Sequence, residues 1–193
     1  MLSLKNSLAV LRKTNALLDG HFVLSSGLHS PSYIQCAKLL SFPNKSEKFT
    51  KSLANKIKRT FKNIDLILSP AMGGIVIGYE IGRVLRKETI FCERVNGNFK
   101  LRRGFNIKKK SRVLIIEDVI TTGKSSLECA DMINKLNGKI IGYACIIDRS
   151  NDKSLIKKSF VSQIKINIPT YNKDELPDHL KKINPIKPGS RNL

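Results

Sequence analysis

Apolar positions along this chain recur at two periods, and the change from one to the other outlines a fold. Leu4, Leu8, Leu11 and Leu18, with Ala16 and Leu17 beside them, keep helical spacing until Asp19-Gly20, which predicts an N-terminal amphipathic helix. Two short extended pieces follow, Phe22-Val23-Leu24 and Tyr33-Ile34-Gln35-Cys36, separated by the turn compositions Ser25-Ser26-Gly27 and Ser30-Pro31-Ser32. Asn44 with Glu47 three residues on reads as a capping box, opening a helix whose inner face carries Phe49, Leu53 and Ile57.

From there the pattern alternates. Apolar runs at Ile64–Leu68, Ile90–Cys92, Val113–Ile116 and Ile140–Ile147 lack the polar alternation of a half-exposed strand. Between them lie helical patterns at Ile75–Leu85 and Ser125–Leu136, the second closed by Asn137-Gly138. Apolar strands joined by helices predict an α/β fold, with a central parallel sheet covered on both faces. A last strand is expected at Ile164–Ile168. The piece from Asn172 onward holds Pro177, Pro185 and Pro188 and leaves room for one short helix around Leu180. No internal repeat or long linker divides the chain, so residues 1–193 are expected to form a single domain.

Composition sharpens this picture. With 41% hydrophobic residues the chain can fill a core, which excludes a disordered basic tail. No run nears the roughly 18 consecutive apolar residues of a membrane-spanning helix, so a soluble, cytoplasmic protein with no membrane partner is expected. Cys36, Cys92, Cys129 and Cys145 show no C-x-x-C pairing and no His at ligand spacing, and read as reduced core thiols. Lys and Arg number 35 against 15 Asp and Glu, a formal charge of +20. The lysines are spread along the sequence, many beside Asn and Ile, and read as a solvated surface. Aromatic residues make up 6% and do not interleave with the two denser clusters, Lys100 to Arg103 and Lys108 to Arg112, so no nucleic-acid partner is expected.

Ligands of an open parallel sheet bind beyond the carboxyl ends of its strands, so those ends hold the candidate chemistry. Four of them are polar or glycine-rich: Ser69-Pro70-Ala71-Met72-Gly73-Gly74, Glu93-Arg94, Glu117 to Ser125, and Asp148-Arg149. Thr121, Thr122, Gly123 and Ser125 bring hydroxyls and amides to a helix N-terminus, where unpaired N–H groups and the helix dipole favour a phosphate. Glu117 and Asp118 repel phosphate and suit vicinal sugar hydroxyls or a magnesium ion. An acid pair before a phosphate loop points to a phosphorylated ribose. Gly123-Lys124-Ser125 is not the end of an NTPase P-loop, because that motif needs Gly where Asp118 stands. Gly73, Gly74 and Gly78 also miss the dinucleotide-binding spacing.

The stretch Val113-Leu114-Ile115-Ile116-Glu117-Asp118-Val119-Ile120-Thr121-Thr122-Gly123-Lys124-Ser125 resembles the phosphoribosyl pyrophosphate (PRPP) signature of the type I phosphoribosyltransferases, in the wording carried by members that use orotate. Gly20 to Ser30 is similar to that family's N-terminal hood segment, and the likeness continues weakly to Pro188-Gly189-Ser190-Arg191. The resemblance implies a hood of about residues 1–40 plus the C-terminal segment over a core of about 41–170. It implies transfer of phosphoribose from PRPP to orotate in pyrimidine biosynthesis, with Mg2+ as cofactor and a homodimer with shared active sites. Glu117 and Asp118 would meet the ribose hydroxyls, Thr121, Thr122, Gly123, Lys124 and Ser125 the 5-phosphate, and Ala71, Met72 and Gly73 the pyrophosphate, with Val119 and Ile120 also counted to the PRPP site. Thr121, Arg149 and Ser25 would meet orotate, the guanidinium pairing with its carboxylate. Ser25 stands where many members carry Lys. The connection from Glu93 to Lys110 takes the place of a mobile catalytic loop, which makes Arg94, Lys100, Arg102 and Arg103 candidates to neutralise departing pyrophosphate. It lacks the family's usual Arg-Lys-x-x-Lys-x-His spacing. His21 and His179 read as surface or hood residues, and His29 falls in the hood near the substrate. Two alternatives stay open: transfer to another base, and a non-catalytic PRPP sensor that binds nucleic acid.

Overall fold

Ser3 starts the first helix by accepting a hydrogen bond from the Asn6 amide at 3.2 Å. Helix α1 (Leu4–Lys13) stops where Asn15 turns to φ 54° and the Ala16 amide reaches back to the Leu11 carbonyl. The helix expected to run on to Leu18 therefore ends a turn earlier. Leu17, buried, and Leu18, exposed, instead open strand β1 (Leu17–Val23) with the alternation of a strand. The computed structural model describes residues 2–24, 26–151 and 153–188, so Ser25 and residues 189–191 lie outside the described residues.

Strand β1 pairs antiparallel with β2 (His29–Ile34) in a two-stranded sheet of its own. The C-terminal segment joins it through isolated bridges, Phe22 to Ile186 and His29 to Tyr171. Cys36, expected at a strand end, opens the short helix α2 (Cys36–Leu40). Helix α3 (Pro43–Thr60) corrects the capping box: Pro43 takes the first helical position with Phe42 before it, so Asn44 lies inside the first turn. Glu47 pairs along the helix with Lys51 at 2.7 Å instead.

The main sheet is built from β3 (Leu66–Pro70), β4 (Glu88–Val95), β5 (Asn98–Leu101), β6 (Arg112–Ile120), β7 (Lys139–Asp148) and β8 (Phe160–Lys165). Their order is β5-β4-β3-β6-β7-β8, parallel throughout except for β5. The last strand falls earlier than Ile164–Ile168 because β8 pairs with β7 from Phe160 onward. Strand β5 corrects the reading of residues 93–110 as one long connection. Asn96 and Gly97, at φ 48° and 80°, make the tight turn that folds β5 back on β4. Helices α4 (Gly73–Leu85) and α5 (Lys124–Lys135) cross over after β3 and β6, and α6 (Asp178–Lys181) forms around Leu180.

Odd and even positions of the strands feed two cores. Ile67, Leu114, Ile116 and Ile146 pack with α1, α2, α3 and α4, whereas Leu68, Val113, Ile115 and Tyr143 pack with α5 and β5. Both faces of the central strands are thus covered, as their unbroken apolar runs require. All four cysteines are buried. Among the described residues no helix is long and apolar enough to cross a membrane.

One contact couples α3 to β7. A Cβ on Gly142 would stand 2.2 Å from the Phe61 ring and 2.7 Å from the Ser159 carbonyl, and neither the backbone nor the buried ring has room to give. Gly142→Ala is expected to destabilise the fold by about 1–3 kcal/mol, read as a melting temperature several degrees lower. An unchanged melting temperature would show that the ring moves aside freely.

Candidate active site

The sheet reverses direction between β3 and β6: from β3 the chain proceeds to β4 on one side, and from β6 to β7 and β8 on the other. Loops leaving adjacent strands at such a reversal diverge and open a crevice between them. The two loops that leave here are residues 71–72, between β3 and α4, and residues 121–123, between β6 and α5. They are packed together. A Cβ on Gly73 would lie 2.8 Å from the Asp118 carboxylate, so any other residue at the start of α4 would push that acid aside. The Ala71–Met72 peptide is cis, and the Ala71 amide donates to the Cys92 carbonyl at 2.8 Å.

Glu117 is buried and Asp118 partly so. Burial pushes Glu117 up to about 8, the neighbouring Asp118 charge adds to this, and a hydrogen bond from the Ser126 hydroxyl at 3.3 Å works the other way. Asp118 is also raised by burial, opposed by hydrogen bonding from the Val119 amide. Two adjacent carboxyl groups short of water favour any ligand that brings hydroxyl donors or a cation. Ser126 escaped the sequence reading. It lies next to Ser125, but on a helix the neighbour points about 100° away, inward to the acid rather than outward.

Beyond the acids lies a cavity of about 230 Å³ lined by Glu117, Asp118, Val119, Ile120, Thr121, Thr122, Gly123, Lys124, Ser125 and Ser126. Gly123 caps α5 at φ 80°, and the first turn of that helix holds no acidic residue. Its amides have no partner within the helix. The Lys124 amide takes the Thr122 hydroxyl at 3.3 Å, which leaves the following amides and the Thr121 and Ser125 hydroxyls at the mouth of the cavity. This end of α5 is built to receive an anion.

Ala71, Met72, Gly73 and Arg149 do not line this cavity, but register brings the Arg149 backbone next to its edge. Ile120 sits beside Asp148, and the Arg149 amide donates to the Ile120 carbonyl at 2.8 Å. The guanidinium is partly buried, which lowers its pKa, while the nearby Tyr33 phenol opposes the shift. Among the described residues no carboxylate pairs with it. Tyr33 is the second residue missed in the sequence; nothing local marks it, because its neighbour comes from 116 residues further along the chain. The hood histidines are not surface groups. His21 and His29 are buried, with ring nitrogens 2.6 Å apart, and His21 Nδ1 donates to the Ile183 carbonyl at 2.8 Å, while His179 is exposed.

The four basic candidates stand apart from the cavity. Arg94 is on β4, where it pairs with Glu128 of α5 and stacks over Phe99. Arg103 pairs with Glu93 at 2.8 Å, Arg102 approaches the same carboxylate at 4.0 Å, and Lys100 lies opposite it in register on β5. None of them lines the cavity.

The raised Glu117 has a consequence for stability. Its proton is held more tightly in the folded than in the unfolded chain, so its contribution is present below pH 4.5 and lost as pH rises through about 8. Thermal melts of the free protein between pH 6 and 9 should show stability falling toward pH 9, and Glu117→Gln should flatten the fall. Parallel curves for the two proteins would refute the assignment.

The model of the phosphoribosyl transferase domain matches residues 42–179. The orotate phosphoribosyltransferase of Sphingopyxis alaskensis is 46% identical over 188 residues, 96% of each chain. That of Methylorubrum populi is 46% identical over 183 residues, 94% of this chain and 93% of its own. In fold, the crystal structure of orotate phosphoribosyltransferase from Aeropyrum pernix matches with a TM-score of 0.68 at 22% identity, covering 82% of this chain and 92% of that one. The match of the family model and near-complete coverage at this identity place the chain in the phosphoribosyltransferase family, among the orotate phosphoribosyltransferases.

Proposed function

We infer that the chain transfers the phosphoribosyl group of PRPP to N1 of orotate, giving orotidine 5'-monophosphate and pyrophosphate in pyrimidine biosynthesis. One observation supports this reading: a buried acid pair and an anion-ready helix start line one cavity at the reversal of the sheet, and the next strand ends with Arg149, which no carboxylate among the described residues pairs with. The whole chain acts as one domain, its hood formed by the N-terminal strands and the C-terminal segment.

In this reading Glu117 and Asp118 take the vicinal ribose hydroxyls, and Thr121 to Ser125 hold the 5-phosphate at the start of α5. Ala71, Met72 and Gly73 present backbone amides to the pyrophosphate. Thr121 and Arg149 orient orotate, the guanidinium gripping its carboxylate with two parallel hydrogen bonds. Ser25 belongs to the same proposal. The C1–N1 bond forms as the bond from C1 to the pyrophosphate oxygen breaks, that oxygen keeps the electron pair, and the N1 proton is released. Positive charge builds on the ribose, as in other displacements at an anomeric carbon, and the acid pair faces it.

Magnesium enters with PRPP. Among the described residues no group of three or more His, Cys, Asp or Glu side chains could hold a metal ion. Glu117 and Asp118 offer two hard oxygen donors, which suits an ion that keeps water and substrate oxygens in its shell. Bound beside them, it would neutralise charge on the leaving pyrophosphate. Four buried free thiols fit the reducing cytoplasm.

A homodimer completes the proposal. Met72, Val76 and Tyr79 follow one another at helical spacing on the α4 side of the site and are exposed to 83%, 48% and 63%. A second copy would cover this stripe, and it would bring a basic β4–β5 hairpin to a site that its own hairpin does not line. Arg94, Lys100, Arg102 and Arg103 would then act across subunits.

Arg149→Ala is expected to fold normally, to bind PRPP as the parent does and to lose at least tenfold in kcat/KM for orotate, followed by ultraviolet absorbance. An unchanged rate with orotate would sink the assignment. Tyr79→Asp should shift the sedimentation coefficient from dimer toward monomer; a monomeric parent protein would remove the shared-site part of the reading.

A further inference from the structure

The lysines look scattered along the sequence, but the topology collects many of them at one pole. Residues that precede parallel strands, and those that end the helices between them, all fall at the amino-terminal edge of the sheet. Lys87, Arg112 and Lys139 open or adjoin β4, β6 and β7 there, with Arg112 and Lys139 partners in register. The loops join them. The Lys110 amide donates to the Asn137 carbonyl at 2.7 Å, Arg112 donates to the Lys62 carbonyl at 2.6 Å, and Lys158 donates to the Ile140 carbonyl at 3.2 Å.

This edge is close to free of compensating charge. Asp65 and Glu88 are the acids at the strand starts among the described residues, and Asp65 already accepts from the Arg112 amide. None of the lysines at this edge takes part in an ion pair among the described residues. Helix dipoles account for Lys58, Arg59 and Lys135, which sit in last turns where cations are favoured. They do not account for Lys62, Lys87, the Lys108–Lys110 run, Lys139 or Lys157.

The charge does not serve the anionic substrates of the active site. Strand β6, with nine residues at about 3.3 Å each, separates the two poles by roughly 30 Å, about three or more Debye lengths at physiological salt. At the site's own end Glu93 and Glu128 pair with Arg94, Arg102 and Arg103, in contrast to the unpaired lysines of the amino-terminal edge.

We propose that the amino-terminal edge of the sheet binds the phosphate backbone of double-stranded nucleic acid without reading its sequence. From β4 to β8 the edge spans four strand spacings, about 19 Å, which matches the width of a duplex and brings about four to six phosphates within reach of the lysines. Flexible lysines on loops suffice for such contacts. No exposed aromatic ring stands at this edge to stack an unpaired base, which disfavours single strands. Its one exposed large apolar side chain, Leu136, is too little for a membrane anchor or for the apolar centre of a protein interface. The surface is independent of the phosphoribosyl site, so it stands or falls separately from the transferase reading.

Fluorescence anisotropy of the full chain with a labelled duplex of about 20 base pairs tests this. Binding at about 50 mM salt should weaken with a log–log slope of about −4 to −5 as salt rises to about 200 mM. The triple variant Lys62→Glu, Lys139→Glu, Lys157→Glu should flatten that slope by about 3 and lower affinity more than tenfold, with orotate turnover unchanged as the check on folding. A control triple of equal charge change elsewhere, Lys48→Glu, Lys173→Glu, Lys187→Glu, should leave the slope near that of the parent. The proposal is overturned by an absence of duplex binding at low salt, by equal losses in the two triples, by tighter binding of the single strand, or by capture on phosphatidylserine vesicles without duplex binding.

Discussion

Two adjacent carboxyl groups at the end of a buried strand are the constraint around which this molecule is arranged. Glu117 and Asp118 end an aliphatic run that the sheet buries on both faces, and among the described residues neither pairs with an opposite charge. A buried acid without a partner keeps its proton or waits for a ligand. What the fold supplies is partial: one hydroxyl from Ser126, backbone amides, and the close approach of α4 at Gly73. The rest of the solvation has to come from the ligand. In the proposed reaction that deficit ties stability to function, because the group that weakens the free protein at higher pH would be satisfied by a polyhydroxylated, cation-bearing substrate.

How the chain reads as a sequence follows from the same arrangement. Central strands buried on both faces leave a strong signal, so β3, β6 and β7 stand out as apolar runs. The polar residues at their ends mark the site because the parallel sheet has no other reason to place them there. Signals failed where a local preference met a tertiary one. Leu17 and Leu18 continue a helical period, yet their hydrogen bonds go to β2. Asn44 and Glu47 spell a capping box, yet Pro43, with its fixed φ, starts the helix. Strand β5 was legible, since Asn96-Gly97 is a strong hairpin turn, but the basic residues around it drew the reading toward a loop.

The contacts that could not be read at all join distant segments. Tyr33 beside Arg149, Ser126 under Glu117 and the His21–His29 pair beneath the Ile183 carbonyl each depend on the closure of the fold. The positive pole belongs to the same class. Charge along a chain is a list, whereas charge on a doubly covered sheet is sorted by whether a residue precedes or follows a strand. Among the described residues the sorting leaves cations paired with acids at the active end and unpaired at the opposite one.

Pairing at the active end bears on how its cations can be used. Arg94, Arg102 and Arg103 are held by Glu128 and Glu93, and these pairs are substantially exposed. Exposed pairs are worth little, typically about 0–1 kcal/mol each, so in the proposed reaction a guanidinium would leave a carboxylate for a multiply charged pyrophosphate at small cost. Glu93 and Glu128 act as holders. Arg94–Glu128 ties the hairpin to α5, and Glu93 offsets the charge of Arg102 and Arg103. A hairpin restrained in this way needs no long disordered loop to deliver positive charge, which gives a physical reason why the segment between β4 and β6 can be short.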